Sequence, residues 1–569
     1  MFAQFDVFEA KDRFVKHGLT TGNDDRFVRA WWETRGQSWL PFAKGGSHSP
    51  YYVDQQLVLK WHTEGAELRA GYTTKSIPGT RMDGSTYFGL AGLTWPLRAR
   101  SFSPQVLSRG GSFSARGYCA FFAEENLLPS LALTNSKAFD YIFKVALGRF
   151  GYPEFIVGIL QVLPWPDLAA DASEEMGRLA YRSWSLKRNL DTIDETSHAF
   201  LLPAALRARL GDYDPPSIET ELADIQAEID DIAFDLYGFS DADRAAALGP
   251  SASTEEDNSN GAEDADESED DDGAEAIDQT DGLLSWAAGV AFGRLDWRLA
   301  TGEREAPPEP DPFDPLPAKS PGMLPHDAEP FHAHSGILVD DQGHPNDLAR
   351  LIEEVLARVE APVPADVRRW LQRDFFPLHL KQYSKSRRKA PIYWPISTSS
   401  GSYTLWLYYP SLTDQTLFTA VNDFIEPKLS QVGQDVAALR TKGSARSRDD
   451  EKSFEALQGL ELELIELRDT LLAIAQTYRP NQDDGVQITA SPLWQLFRHK
   501  PWQKVLKDTW TKLEKGDYDW AHLAMAYWPD RVRGKCETDK SLAIAHDLEH
   551  LYVEPEPKPT KARGRKKDG

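Results

Sequence analysis

The twelve residues from Gly18 to Arg29 (Gly-Leu-Thr-Thr-Gly-Asn-Asp-Asp-Arg-Phe-Val-Arg) carry the residue types that meet phosphate. Gly22 lets the backbone turn tightly and approach a ligand, Asn23 tolerates the same geometry, and Thr21 adds a hydroxyl beside them. Arg26 and Arg29 lie three apart, so one helical turn would put both on one face. A turn leading into a short basic helix offers N–H and guanidinium groups to a nucleic-acid backbone. The competing reading is a loop-to-helix junction, with Asn23 or Asp24 as N-cap and Phe27 in the core. Lys44 follows in a Lys-Gly-Gly turn, and Arg98, Arg100, Arg109 and Arg116 sit among turns after an apolar run. A second basic knot, Lys381, Lys385, Arg387, Arg388 and Lys389, precedes Tyr393, Trp394, Tyr403, Trp406, Tyr408 and Tyr409. Basic side chains interleaved with aromatics suit backbone contact with base or sugar packing. A solvated basic loop entering a strand pair fits the same residues.

Other chemistries find little support. His332, His334, Asp340 and Asp341 are ligand-type residues, but their run is loop-like and short of a metal ligand set. A Gly-x-x-x-x-Gly-Lys-Ser/Thr phosphate loop does not occur, nor does a Pro-Asp…Glu-x-Lys or His-Glu-x-x-His pattern. Cys119 and Cys536 are two distant thiols that make no framework and no zinc site, and a reducing cytoplasm is the simplest setting.

These residues need elements to hold them. A chain of 569 residues is too long for one core, so two to four domains are expected. Val53–Trp61, Tyr87–Thr94 and Tyr118–Phe122 run apolar or alternate between Gly/Pro turns, as strands do, giving a mixed, strand-rich unit over 18–166. A helical connector is expected over 167–248. Ile218, Leu222, Ile225, Ile229, Ile232 and Leu236 form one helical stripe there, and Leu457, Leu460, Leu464, Leu467, Leu471 and Ile474 form another within 454–476. Each is under three heptads, which favours a hairpin packed within the chain over a coiled coil with another chain. A short helical segment should occupy 283–305, a stiff Pro-rich linker 306–330, and a second α+β unit 331–552. The fold class expected is therefore α+β and multidomain.

The net charge of −25 is unevenly spread. Residues 245–293 hold fourteen Asp/Glu and no Lys/Arg, and 249–282 read as a disordered acidic insertion. Residues 26–116 hold twelve Lys/Arg against five Asp/Glu. Binding follows the field at the contacting face rather than the sum, so nucleic acid is not excluded. The tail, 553–569, carries six Lys/Arg from Lys558 to Lys567 and reads as a disordered basic segment. No run of 18 apolar residues occurs, so a membrane partner is not expected.

The phrase from Gly18 to Arg29 is followed by Trp39, Lys44-Gly45-Gly46, Tyr51-Tyr52 and Val58-Leu59-Lys60-Trp61. Further on come Tyr87-Phe88-Gly89-Leu90-Ala91-Gly92-Leu93-Thr94-Trp95, Ser101-Phe102-Ser103, Leu133-Thr134-Asn135-Ser136 and Val162-Leu163-Pro164-Trp165-Pro166. In order and content these phrases resemble the target-recognition half of large DNA adenine-N6 methyltransferases. That group includes the PglX-like enzymes of BREX and DISARM phage defence and the fused type II restriction-modification methylases. Weaker likeness continues through Leu283–Arg298 and Arg387–Tyr409. The resemblance implies a DNA target-recognition domain over 18–166, with residues 1–17 as the tail of a catalytic domain encoded upstream. It also implies methyl transfer from S-adenosylmethionine bound on that catalytic partner, double-stranded DNA as ligand, and other defence subunits as further partners.

Such an enzyme needs a Phe-x-Gly-x-Gly cofactor loop and an Asn/Asp-Pro-Pro-aromatic motif, whose aromatic stacks on the flipped base. The first is absent, and the nearest match to the second is Asp214-Pro215-Pro216-Ser217. Serine offers no stacking face, and two prolines suit a helix start. No catalytic, cofactor-binding or metal residue is therefore assigned, and the chain is expected to be silent alone. The DNA-facing set expected is Thr21, Gly22, Asn23, Arg26, Arg29, Lys44, Arg98, Arg100, Arg109, Arg116, Lys385, Arg387 and Arg388. The rival readings are a non-DNA assembly subunit docking through its two stripes, and a truncated methylase remnant.

Overall fold

The computed structural model describes residues 4–36, 38–46, 48–211, 213–249, 277–385 and 387–555. The architecture is multidomain α+β, with helices predominating and strands gathered into small sheets. Most of the acidic insertion and nearly all of the basic tail lie outside the described residues.

The first sheet orders its strands Arg13–Lys16, Gly117–Phe122, Gly92–Pro96 and Gln105–Leu107, all antiparallel. The second runs Val28–Ala30, Leu57–Lys60, Trp39–Ala43 and Ser112–Phe113, with only the last pair parallel. Of the expected strands, Val53–Trp61 narrows to Leu57–Lys60, Tyr87–Thr94 is displaced to Gly92–Pro96, and Tyr118–Phe122 lies within Gly117–Phe122. Ser85–Tyr87 is a 3-10 turn, and pairing starts only at Gly92. From residue 4 the opening segment packs on the body. Arg13–Lys16 is an edge strand of the first sheet, Phe8 and Val15 are buried, and Phe5 meets the ring of Tyr237.

Both leucine/isoleucine stripes lie on long helices, Pro215–Tyr237 and Arg448–Ala475. In the first, Ile218, Ile225 and Ile229 are buried against Ala170–Leu190 and Lys137–Leu147. In the second, Leu464, Leu467 and Leu471 are buried, and Glu426–Lys442 packs beside the helix as the other arm of a helical hairpin. Pro215 and Pro216 start the first of these helices, where a missing N–H costs nothing.

The Pro-rich stretch departs from expectation. Residues 306–325 form a strap laid on the body. Phe313 is buried in the core beneath the first sheet, its carbonyl accepts the Arg109 N–H (3.0 Å), and Gly322 N–H donates to Phe200 O (2.7 Å). Proline fixes φ but leaves the carbonyl free, so such a stretch serves equally as spacer or packed strap.

Two large apolar cores result. One joins the first sheet to the helices of 127–239. The other joins Ala30, Trp31, Trp32, Trp39 and Val58 of the second sheet to helices and strands between 283 and 543. Within it, Ile337–Asp340, Thr404–Tyr408 and Tyr393–Ser397 make a three-stranded antiparallel sheet. Of the Lys381–Lys389 knot, Lys381 lies on the helix Phe375–Gln382, and Ser384–Lys385 pairs with Arg388–Lys389 as a two-stranded hairpin.

Candidate nucleic-acid interface

The Gly18–Arg29 phrase is a joint. Asn23 caps a single helical turn, Asp24–Phe27, by accepting from Arg26 N–H (3.1 Å). The chain then enters the strand Val28–Ala30, so Arg29 does not share a helical face with Arg26. Thr21 is buried and donates to Asp24 Oδ1 (2.5 Å). Gly22 has φ +70°, and a Cβ there would meet Pro78 O at 2.5 Å, so only glycine fits.

Arg26 is 5% exposed. It is ion-paired with Glu67 (2.7 Å) and donates to Ser541 O and Oγ (both 3.0 Å). Arg29 is fully buried and donates to Asp25 O, Val28 O and Asp483 O (2.7, 2.7 and 2.9 Å). Neither faces phosphate. Both tie the second sheet to helices some 450–515 residues further along, and Glu33, Trp39 and Asp25 add bonds to Val486 N–H, Asp483 and Tyr518. The lone glycine-arginine phrase reads the same either way in sequence, because only the fold shows what covers the arginines.

The remaining basic residues divide. Arg109 pairs with Glu124 and lies near Asp314 of the strap, beyond the far edge strand of the first sheet. Lys44 pairs with Asp24, whose backbone carbonyl in turn accepts from Arg388 Nη2 (3.4 Å). A Cβ on Gly45 would lie 3.1 Å from Arg116 O, and that carbonyl accepts from Leu97 N–H (3.2 Å). Ser101 Oγ and His48 Nε2 approach to 3.4 Å, so His48 and the turn at 97–101 are neighbours. Arg98 there pairs with Glu154, and Arg98, Arg100 and Arg116 are all exposed. The hairpin, Lys44, Arg116 and Arg98–Arg100 therefore neighbour one another as a basic ridge assembled from distant parts of the chain, with Lys44 half-buried and both Lys44 and Arg98 paired to carboxylates. Lys385 and Arg387 are exposed on the hairpin, whereas Arg388 is mostly buried between Asp24 and Glu33.

What positions the hairpin was not legible in the sequence. Ala390 N–H donates to Tyr383 O (2.8 Å), closing its base. Tyr383 OH donates to Glu195 (3.1 Å), which is ion-paired with Arg294 (3.0 Å) and accepts from Ser285 Oγ (2.7 Å), all buried. Buried His379, held neutral by desolvation, accepts at Nε2 from Ile392 and Tyr393 N–H (2.9 and 3.2 Å). Trp32 Nε1 donates to Ala390 O (3.0 Å), and Trp31 stacks on His198, 4.4 Å between centroids. The signal available beforehand was Trp31-Trp32, two indoles that require partners when buried.

The ligand-type run separates. His332 bonds Asn346, His334 accepts Gly336 N–H, Asp340 pairs with Arg368 and Asp341 with Lys428. Among the described residues no His/Cys/Asp/Glu group is arranged to hold a metal, and no helix is long and apolar enough to cross a membrane. Asp214 is the N-cap of the helix Pro215–Tyr237, with Pro215 and Pro216 in its first turn.

Over 261 residues, 40% of the chain, the sequence is 24% identical to the adenine-specific methyltransferase PglX of Lacticaseibacillus casei (strain Zhang). The chain is similar to an adenine-specific methyltransferase. The matched segment spans 21% of PglX, so most of that protein has no counterpart in the alignment. No protein-family model matches the chain.

Proposed function

We propose that the chain supplies DNA recognition to a site-specific adenine-N6 methyltransferase of phage defence or restriction-modification. It acts in the cytoplasm beside a catalytic chain that binds S-adenosylmethionine. The observation that carries this reading is the basic ridge of Lys44, Arg100, Arg116, Lys385 and Arg387, together with the likeness to PglX. Cations on a ridge position a duplex by its phosphates, and side chains beside them read base edges. Arg98 and Arg100, at a turn next to Arg116, are the base-reading candidates. The sequence carries no Phe-x-Gly-x-Gly cofactor loop, and S-adenosylmethionine is accordingly assigned to the catalytic chain. The assembly reading loses its support, because both apolar stripes are consumed within the chain. Reconstitution tests the proposal: the chain alone should transfer no methyl groups, and adding the catalytic chain should give methylation at one sequence motif. Methylation by the catalytic chain with unchanged sequence preference, whether or not this chain is added, refutes it.

A further inference from the structure

The helix Lys500–Lys515 carries five lysines against Asp508 and Glu514, in a chain whose net charge is −25. Trp502, Leu506, Thr509 and Leu513 are buried and fix its inner face. At about 100° per residue, Lys500, Lys504, Lys507 and Lys515 fall within an arc of about 80° on the opposite side. All four are exposed. None makes an ion pair among the described residues. Lys500 donates to Gln503 (3.2 Å), and Lys507 rests over the half-buried Trp494, 5.1 Å from the ring centroid. Glu514 accepts from Trp510 Nε1 (2.8 Å) instead. By contrast, the exposed Arg178, Arg182 and Arg350 on other helices pair with Glu175, Glu221 and Glu354.

Like charges three and four apart on one helix face repel, so the row costs helix stability, and no ion pair within the chain offsets it. It spans about 22 Å at 1.5 Å rise per residue. Its first turn adjoins the hairpin of the basic ridge. His499, the N-cap, sets its ring edge-on to Phe376 (5.6 Å), on the helix Phe375–Gln382 that enters the hairpin. Arg498 Nη2 donates to Ser397 O (2.9 Å), on the strand Tyr393–Ser397 that leaves it. Burial first, and then the Lys389 ammonium of the hairpin, hold His499 below its ordinary value. We propose, building on the DNA-recognition reading, that this lysine row is a second phosphate-contacting surface, along which a duplex seated on the hairpin continues. Its continuity with the hairpin favours a duplex over an acidic protein. Cations along one backbone supply affinity through counterion release and read no bases. The row therefore lengthens the footprint without adding specificity.

The test is a salt titration of the whole chain with its catalytic partner on a duplex of about 30 base pairs, roughly 100 Å long. The parent is compared with a row variant (Lys500→Ala, Lys504→Ala, Lys507→Ala and Lys515→Ala together) and a hairpin variant (Lys385→Ala with Arg387→Ala). Exposed alanines suit a helix, so the row variant should fold. It should flatten the slope of log affinity against log salt by about three to four, alike on duplexes of different sequence, where the hairpin variant flattens it by about two. A row variant with the parent's affinity and slope overturns the second surface. If the hairpin variant still flattens the slope, the DNA-recognition reading stands without it, whereas a parent that binds no duplex removes both. Poly-L-glutamate titrated in parallel separates the other class of partner. Its binding lost in the row variant, with duplex binding intact, assigns the row to an acidic protein and overturns the proposal. Should the alanine set not fold, the corresponding glutamine set is read in its place by the same criteria.

Discussion

Arg26 and Arg29 show what a sequence conceals at the scale of single residues. Their types and spacing are those of a phosphate-facing element, and only the elements covering them, some 450–515 residues away, turn them into a joint. Removing one partner of a buried ion pair leaves the other uncompensated, at about 3–5 kcal/mol. Arg26→Ala should therefore lower the denaturation midpoint strongly while leaving the salt dependence of DNA binding unchanged where the variant remains folded. Equal thermal stability of Arg26→Ala and the unaltered chain contradicts the joint. Against the desolvation that burial imposes, Arg26 and Lys60 hold Glu67 down to about 2. Its contribution is present above the unfolded value near 4.5 and is lost as pH falls toward 2, so acid unfolding should shift upward in pH in Glu67→Gln. Asp191 has the opposite sign. Burial and the nearby Asp194 and Asp54 push it up to about 7, with Tyr52 and Ser197 hydrogen bonds opposing. An acid with a raised folded value costs stability as pH rises from about 4 to about 7. Asp191→Asn should therefore gain stability relative to the parent at about pH 8 but not at about pH 4, measured by denaturant titration at both.

Elements are legible in proportion to how local their cause is. The stripes of Ile218–Leu236 and Leu457–Ile474 give their helices directly, because a 3.6-residue period needs no knowledge of the partner. Strand positions are legible, but their ends are not, since the pairing partner decides where a ladder stops. Tyr87 shows this: its aromatic run continues into Phe88, yet pairing begins only at Gly92. The Pro-rich strap escapes a linker reading because proline content fixes local stiffness and says nothing of what lies beneath. Phe313, the one aromatic side chain in 306–320, is the residue that marks it. Phe313→Ala should cost about 3 kcal/mol or more through the cavity it leaves, and should expose 306–320 to limited proteolysis. An uncut strap at unchanged stability shows that the packing is dispensable.

On the scale of the whole molecule, the fold's main act is to bring Lys44, Arg98, Arg100, Arg116, Lys385, Arg387 and Arg388 near one another while the total charge stays at −25. No sequence window contains that ridge. The two basic clusters are legible separately, and their adjacency depends on Glu195, Arg294 and Trp32 holding the hairpin base. The most direct test is a salt titration of duplex binding by the whole chain with its catalytic partner, comparing Lys44→Ala, Arg116→Ala, Lys385→Ala and Arg387→Ala with the parent. A phosphate that no cation neutralises keeps its counterion, so each variant should flatten the slope of log affinity against log salt by about one. The weakening should be alike on cognate and scrambled duplexes. Four variants with the parent's affinity and slope contradict the account.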